Sequence, residues 1–189
     1  MQQIQDDIDQ RLAQRLVALR QQQGWSLEAL AQHTGISRAT LSRIERMETS
    51  PTASLLNKLC AAYGLTMSRL LSELDNEPPE LLSRQQQPVW VDHASGFHRR
   101  SVSPPSALYQ AEFIEGTLQP GARIDYDAPS IHGLEHHLWM LDGELTLTLD
   151  ARPFRLQAGD CLRYCLTGSS QFHASGAQPA HYTIIICRP

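Results

Sequence analysis

The stretch SLEALAQHTGISRATLSRIERMETSP, residues 26–51, decides the architecture of the N-terminal part of the chain. It predicts two short helices joined by a tight turn. Ser26 is placed to cap the first helix, in which Leu27, Leu30 and Ala31 recur at helical spacing. Gly35 is the residue that tolerates the left-handed backbone on which such a helix ends.

The second helix of this stretch carries two different faces. Ser37 caps it, and its buried stripe is predicted to be Leu41 and Ile44, with Ala39 partly buried. The other face presents basic and short side chains: Arg38, Thr40, Ser42, Arg43 and Arg46. Two helices joined by a three-residue turn, with such a second helix, describe a helix-turn-helix DNA reader.

The same residues resemble the Xre-type, lambda-repressor-like family. The matching segments are WSLEALAQHTGIS (25–37), LSRIER (41–46) and the SP at 50–51. The resemblance implies an all-α, five-helix DNA-binding domain. Met47 departs from the family, which usually has Gly or Asn after the reading helix. A left-handed backbone there costs Met about 1 kcal/mol.

The resemblance also implies roles in DNA binding for eight side chains. The residues expected at base edges are Arg38, Ala39, Thr40 and Arg43, because Arg reads guanine and Thr or Ala methyls meet thymine. Those expected at phosphates are Ser26, Ser37, Ser42 and Arg46. Glu45 is expected to form a pair inside the domain.

Composition and charge support a two-domain protein of the cytoplasm. The chain has 189 residues, of which 41% are hydrophobic, and a net charge of -4. Residues 10–58 carry seven basic and three acidic side chains and are therefore net positive. Residues 76–189 carry eight basic and twelve acidic side chains and are net negative. The basic part suits DNA. The polar start shows no signal peptide, no run approaches a membrane span, and the four cysteines lack the density of a disulfide framework.

The pattern predicts helices up to residue 74 and strands afterwards. A first helix is expected over 8–22, a fourth over 52–63 and a fifth over 66–74, and residues 77–88 are assigned no fold. From residue 89 apolar residues alternate, most strictly in LTLTLD (145–150), and DAR (150–152) is a tight turn. The predicted units are a head (8–74), a linker with a leading strand (75–99) and an all-β body (100–189).

The body resembles the cupin family, a double-stranded β-helix or jelly roll. Gly143 and the Gly159-Asp160 pair match the family's scaffold glycines and inter-motif spacing. The family's metal-ligand positions, however, fall mostly on other residues. The first motif's two His positions fall on Ser130 and His132 and its Glu position on His136, and the second motif's His position falls on Ser170.

These replacements lead to the expectation of no metal and no cofactor. Neutral hydroxyls are poor ligands for transition metals, although His132 and His136 remain and His173 is left open as a third ligand. Cys161 and Cys165 are expected to be small buried residues, too far apart along a strand to bridge. The predicted interior suits an organic effector held by His132, His136, Met140, Tyr164 and Ser170.

These observations together predict a homodimeric transcriptional regulator, with no catalytic residues, that binds duplex operator DNA and a small-molecule effector. The resemblance suggests an amino acid, an amine or a sulfur metabolite as the effector. Two alternatives stay open: a metal-dependent cupin enzyme with an accessory DNA-binding head, and an antitoxin-like repressor whose body only dimerises. A metal assay distinguishes the enzyme from the regulator, and a ligand-induced thermal shift distinguishes the effector-binding regulator from the repressor whose body only dimerises.

Overall fold

A computed structural model describes residues 2–72, 79–106 and 108–187 of the chain. Within these ranges five helices form the head: α1 (Gln2–Gln22), α2 (Leu27–Thr34), α3 (Arg38–Glu45), α4 (Ala53–Tyr63) and α5 (Met67–Leu71). Leu12, Leu16, Leu30, Leu41, Ile44, Leu56 and Leu59 fill the space between them. The predicted all-α head is therefore confirmed. None of the described helices has an apolar run long enough to cross a bilayer.

Two helix limits differ from those predicted. Helix α1 begins six residues before the predicted start, because QQIQDD contains no Gly or Pro that would interrupt a helix. Helix α5 begins after Thr66, whose hydroxyl caps it by accepting the Arg69 backbone N–H. Its predicted last two residues lie outside the described residues.

Ten strands form the described part of the body. They are β1 (Val89–Asp92), β2 (Phe97–Ser103), β3 (Ala111–Leu118), β4 (Arg123–Tyr126), β5 (Leu134–Asp142), β6 (Glu144–Leu149), β7 (Arg152–Gln157), β8 (Cys161–Leu166), β9 (Ser170–Ala174) and β10 (Ala180–Cys187). One antiparallel sheet has the order β1-β2-β3-β10-β5-β8, and the other has the order β4-β9-β6-β7. Two sheets packed in this way are the expected cupin jelly roll.

Two expectations about the joining segment need correction. The interval 75–99 contains β1 and the start of β2, which pair with each other and join the large sheet, so a body starting at residue 100 cuts through β2. Residues 77–88 were assigned no fold, yet Arg84–Gln86 form a 3-10 turn, capped where Ser83 N–H donates to the Gln86 side chain.

The predicted turns are present. Asp150 and Ala151 both have left-handed backbones (φ 46° and 66°) and connect β6 to β7. Gly143, between β5 and β6, has φ 74°, and a Cβ there would lie 2.2 Å from the Pro179 carbonyl oxygen. No other residue fits that position without moving the backbone.

The head and the body share one hydrophobic core and several polar contacts, some of them buried. The carboxylate of Asp92, in β1, accepts the Ala53 backbone N–H at the start of α4 at 2.9 Å. The Thr66 hydroxyl donates to Glu112 of β3 at 3.0 Å. Lys58 of α4 pairs with Asp127 of the body at 3.0 Å. The two domains are therefore packed together directly and are not connected by the linker alone.

Candidate DNA-reading surface and barrel cavity

The reading surface is built by two capped helices. The Ser26 side chain accepts the Ala29 backbone N–H at 3.1 Å at the start of α2, and Gly35 ends that helix with φ 66°. The Ser37 side chain accepts the Thr40 N–H at 3.1 Å at the start of α3 and also hydrogen-bonds the Thr40 hydroxyl at 2.8 Å. These caps satisfy backbone donors and fix the angle of the turn.

The structure leaves the predicted DNA-contacting side chains on the surface of the head. Ser26, Ser37, Arg38, Ala39, Arg43 and Arg46 are exposed, and Thr40 and Ser42 are half-buried. Ala39 is therefore not part of the buried stripe. Positions 39, 42, 43 and 46 recur at helical spacing and share one side of α3. Their contacts with DNA remain a prediction.

Arg46 is not a free cation in this structure. Its guanidinium donates to Glu48 at 2.7 and 3.0 Å and also to the Ser42 hydroxyl. The hydrogen bond and charge of Glu48 raise the pKa of Arg46, and Arg46 in turn lowers the pKa of Glu48. A phosphate on Arg46 must therefore compete with this exposed pair.

The expected internal pairing of Glu45 is confirmed. Both of its carboxylate oxygens accept from Arg20, at 2.7 and 2.8 Å. This hydrogen bonding raises the pKa of Arg20, whose Nη1 also donates to the Trp25 carbonyl at 3.0 Å. The last residue of α3 is thus tied to α1 by a bidentate, largely buried pair, which orients the reading helix.

The second candidate site is a cavity of about 90 Å³ inside the barrel. His136 of β5 and Tyr164 of β8 lie opposite each other in register, and His136 Nδ1 is 3.2 Å from the Tyr164 hydroxyl. Burial, with help from the charge of Arg99, lowers the pKa of His136 to about 4. Burial also raises the pKa of Tyr164. Both groups are therefore neutral near pH 7.

Arg99 of β2 is the charged group of the cavity wall, and the sequence interpretation missed it. Its side chain is 3% exposed and donates to the Ser68 and Ser101 hydroxyls, the latter at 3.4 Å. Burial lowers the pKa of Arg99, but an arginine stays protonated in a protein. The signal was available, because alternation in FHRRSVS places Arg99 on the same face as Phe97.

Three of the five predicted effector-binding residues line the cavity: His136, Tyr164 and Ser170. The other two do not. His132 is exposed, because β5 begins only at Leu134 and His132 lies in the preceding loop. Met140 points inward as alternation predicted, but it is packed in the core beside Tyr182 and is not among the residues that line the cavity.

The expectation that Cys161 and Cys165 are buried is also wrong. Cys161 and Cys165 are both exposed, because β8 presents them outward on alternate residues while Tyr164 points inward. Cys165 is therefore not an interior residue. Cys60, in α4, is fully buried, and burial raises the pKa of its thiol to about 12.

The residues of the barrel do not fit a metal centre of the cupin type. His136 lies in the wall, but His132 is in a surface loop and His173 alternates outward on β9. In the part of the chain that the structure describes, no three His, Cys, Asp or Glu side chains converge on one point. A structural or catalytic transition-metal site needs three or four such ligands.

The cavity wall includes residues of the head. Asn57 of α4, Thr66 and Met67 at the start of α5 contribute to it beside the barrel residues. Asn57 also donates to the Ala128 carbonyl at 2.7 Å. Sequence reasoning gave no sign of this, because it treats the two domains separately.

Comparisons with known proteins extend over both parts of the chain. Residues 16–70 match the HTH_3 helix-turn-helix family model. The HTH-type transcriptional regulator SutR of Escherichia coli is 30% identical over 178 residues, spanning 94% of this chain and 95% of SutR. The HTH-type transcriptional regulator PuuR of the same organism is 30% identical over 150 residues, 77% of each chain.

A solved structure has the same arrangement of domains. The crystal structure of an HTH_3 family transcriptional regulator from Vibrio cholerae superposes with a TM-score of 0.79 at 25% sequence identity. The match covers 98% of this chain and 99% of that one.

Proposed function

Because the chain belongs to the HTH-type transcriptional regulators of the Xre family, we propose that it binds operator DNA through α3 as a homodimer and that an effector in the barrel cavity changes its operator affinity. The proposal that an effector binds in the cavity is supported above all by the composition of the cavity wall. Asn57, Thr66 and Met67 of the head line the same cavity as His136 and Tyr164 of the body. A ligand in that cavity contacts both domains at once.

The DNA half is supported by the exposed face of α3 and by the charge of the head. Arg38 lies at the first turn of α3, the part that enters the major groove in this motif. Arg38 and Arg43 are exposed, and among the described residues neither forms the close ion pair that Arg46 forms with Glu48, although the charge of Arg43 also acts on Glu48. They are therefore the side chains that we propose for reading base edges, and Ser26, Ser37, Ser42 and Arg46 are proposed at phosphates.

The dimer half is supported by an apolar area on the outer face of the large sheet. Trp139 of β5 and Ile185 of β10 are 52% and 41% exposed on adjacent strands. Large apolar side chains gathered in the middle of an outward sheet face are typical of protein–protein contacts. We propose that a second copy of this chain covers them; dimers of such heads read half-sites about 34 Å apart.

We propose that the chain is a binding protein and not an enzyme. Its relatives are named as transcriptional regulators, and the cavity combines one histidine, one arginine and three tyrosines with mostly apolar side chains. Among the described residues no carboxylate hydrogen-bonds the His136 imidazole, and its Nδ1 lies against the Tyr164 hydroxyl, whose pKa is raised by burial.

The experiment starts from an operator selected from a random duplex library with the full-length protein. We expect a palindromic site. Arg38→Ala should cost roughly 1–3 kcal/mol at that site and relax the preference at one base position. Arg46→Ala should weaken binding to all sequences alike and reduce the salt slope by about 1.

Arg155→Ala is the matched control, since Arg155 is an exposed arginine on β7 of the body. Fluorescence anisotropy over a range of salt concentrations gives both quantities. Equal operator affinity for wild type, Arg38→Ala and Arg46→Ala would show that α3 does not read DNA.

A further inference from the structure

We propose that the effector is a small organic monoanion with a short apolar tail, its charged end bound by Arg99 and its tail among the apolar side chains of the barrel. This inference deepens the effector half of the proposed function and rests on it. It follows from the charge, the unsatisfied polar atoms and the size of the cavity.

The first argument is the incomplete pairing of Arg99. A buried charge is stable only when it is paired or fully hydrogen-bonded. The guanidinium has five N–H donors, but among the described residues its only hydrogen-bond partners are the hydroxyls of Ser68 and Ser101. Among the described residues no carboxylate lies within 4.0 Å of it. A bound anion would supply the missing acceptors.

The nearest candidate for a counter-charge, Glu112, is already engaged. Its carboxylate is 1% exposed, accepts the Thr66 hydroxyl at 3.0 Å and lies 3.9 Å from Arg69 Nε. Glu112 therefore faces Thr66 and Arg69 at the domain boundary, and its charge acts on Arg99 only from beyond 4.0 Å. Arg99 remains as a positive charge, and in the described part of the chain it is the only charged side chain that lines the cavity.

The second argument is an unsatisfied polar atom in the same wall. His136 is 8% exposed, and its Nε2 has no hydrogen-bond partner, whereas its Nδ1 is occupied by the Tyr164 hydroxyl. Buried polar atoms normally have a partner. A ligand oxygen is the partner that an anion held by Arg99 offers.

The remaining wall and the volume define the rest of the ligand. Ile124, Leu134, Leu166, Phe172 and Ile184 surround the cavity with apolar surface. One water requires roughly 10–15 Å³ of such space, so about 90 Å³ holds a molecule of fewer than about ten heavy atoms. These limits describe a short-chain acid.

Arg99 also gives the ligand a route to the head. Ser68, one of its two partners, is the second residue of α5, next to the cavity residue Met67. An anion that draws the guanidinium toward itself competes with the Ser68 bond. Ligand binding is thereby linked to the position of α5.

The test is a head-group series on the full-length wild-type protein. Butyrate, 1-propanesulfonate, butyramide and butylamine have similar tails and differ in charge. We expect the two anions to raise the unfolding temperature and to bind at least about tenfold more tightly than the amide, because hydrogen bonds to charged groups are the stronger ones. Butylamine should not bind. Equal or tighter binding of butyramide or butylamine, or no thermal shift with either anion, would overturn the proposal.

Two variants test whether the preference for anions depends on Arg99. Arg99→Met should abolish the preference for butyrate over butyramide, while Arg163→Met, which changes an exposed arginine of β8, should keep it. Replacing a buried charge by an apolar residue of similar length is often tolerated, and circular dichroism checks the fold. If Arg99→Met unfolds, the wild-type series decides. A folded Arg99→Met protein that keeps the tenfold preference would refute the assignment to Arg99.

A last arm separates this inference from the proposed function. Operator affinity is measured with and without the better-bound anion, and anion affinity with and without operator, since the two couplings must be equal. Selective anion binding that leaves operator affinity unchanged would support the anion site and refute effector sensing. An uncharged ligand that shifts operator affinity would support effector sensing and refute the proposal that the effector is an anion.

Discussion

At the residue scale, Met47 shows how a departure from a family pattern becomes a physical feature. The sequence predicted strain if the backbone at this position is left-handed, and the structure gives it φ 60°. Its side chain is 51% exposed. The position therefore carries the conformational cost of a Cβ in the left-handed region, with little burial to offset it.

Met47→Gly should therefore stabilise the protein. Removing the Cβ relieves about 1–2 kcal/mol of backbone strain, against roughly 0.5–1 kcal/mol for the greater freedom of Gly in the unfolded chain. We expect the free energy of unfolding in urea to rise by about 0.5–1 kcal/mol.

Met47→Ala is the control for this change, because it removes most of the side chain but keeps the Cβ. It should stay within about 0.5 kcal/mol of wild type. If the Gly and Ala variants have equal stability, the backbone at this position is not strained.

At the element scale, the local rules predicted the helix caps, the turns and the facing of strands. Ser26 and Ser37 cap helices as expected, and alternation in β5 buries His136, Leu138 and Met140. These features depend on neighbours in sequence, so a single sequence contains them.

The positions that sequence reasoning missed depend on contacts across long separations. His132 was assigned by counting from a family motif, but only the strand start at Leu134 decides that it lies in a loop. The partnership of Arg99 with Ser68, and the presence of Thr66 in the cavity wall, require knowledge of how α5 docks on β2 and β3. No periodicity encodes that docking.

The same kind of contact gives a prediction for α4. Asp92 is buried and accepts backbone N–H groups from Ala53 and Ala94, each at 2.9 Å. The body thereby places a negative charge at the N-terminus of a head helix, where the helix dipole favours it. Asp92→Ala leaves buried donors unpaired, so we expect the free energy of unfolding to fall by about 1–3 kcal/mol.

Asp142→Ala is the matched control. Asp142 also accepts a backbone N–H at 2.9 Å, from Gly143, but it is exposed and lies within the body. Its loss should cost less than about 1 kcal/mol, because water replaces the bond. Equal losses for the two variants in urea unfolding would contradict the proposed importance of the buried cap.

At the scale of the whole molecule, the head and the body share an interface, and separating them would break buried hydrogen bonds. Asp92, Arg99 and Glu112 are buried body residues whose hydrogen bonds reach the head. Separating the domains leaves each of these groups without its hydrogen-bond partner in the head, which costs about 1–3 kcal/mol of unfolding free energy per group. The hydrophobic core is also continuous across the boundary.

The full-length chain should therefore unfold in one cooperative transition. The natural tryptophans allow a direct test, since Trp25 lies in the head and the buried Trp90 in the body. In a Trp25→Phe/Trp139→Phe variant, fluorescence reports the body through Trp90, and far-UV circular dichroism reports mainly the head helices. We expect the two thermal transitions to coincide.

A Trp90→Phe/Trp139→Phe variant provides the control, because both of its signals then come from the head and coincide whether or not the domains are coupled. Separate midpoints in the Trp90 reporter alone would show that the body and head unfold independently. In that case the shared cavity wall would not suffice to carry a signal, and only the linker would connect an effector to the reading helix.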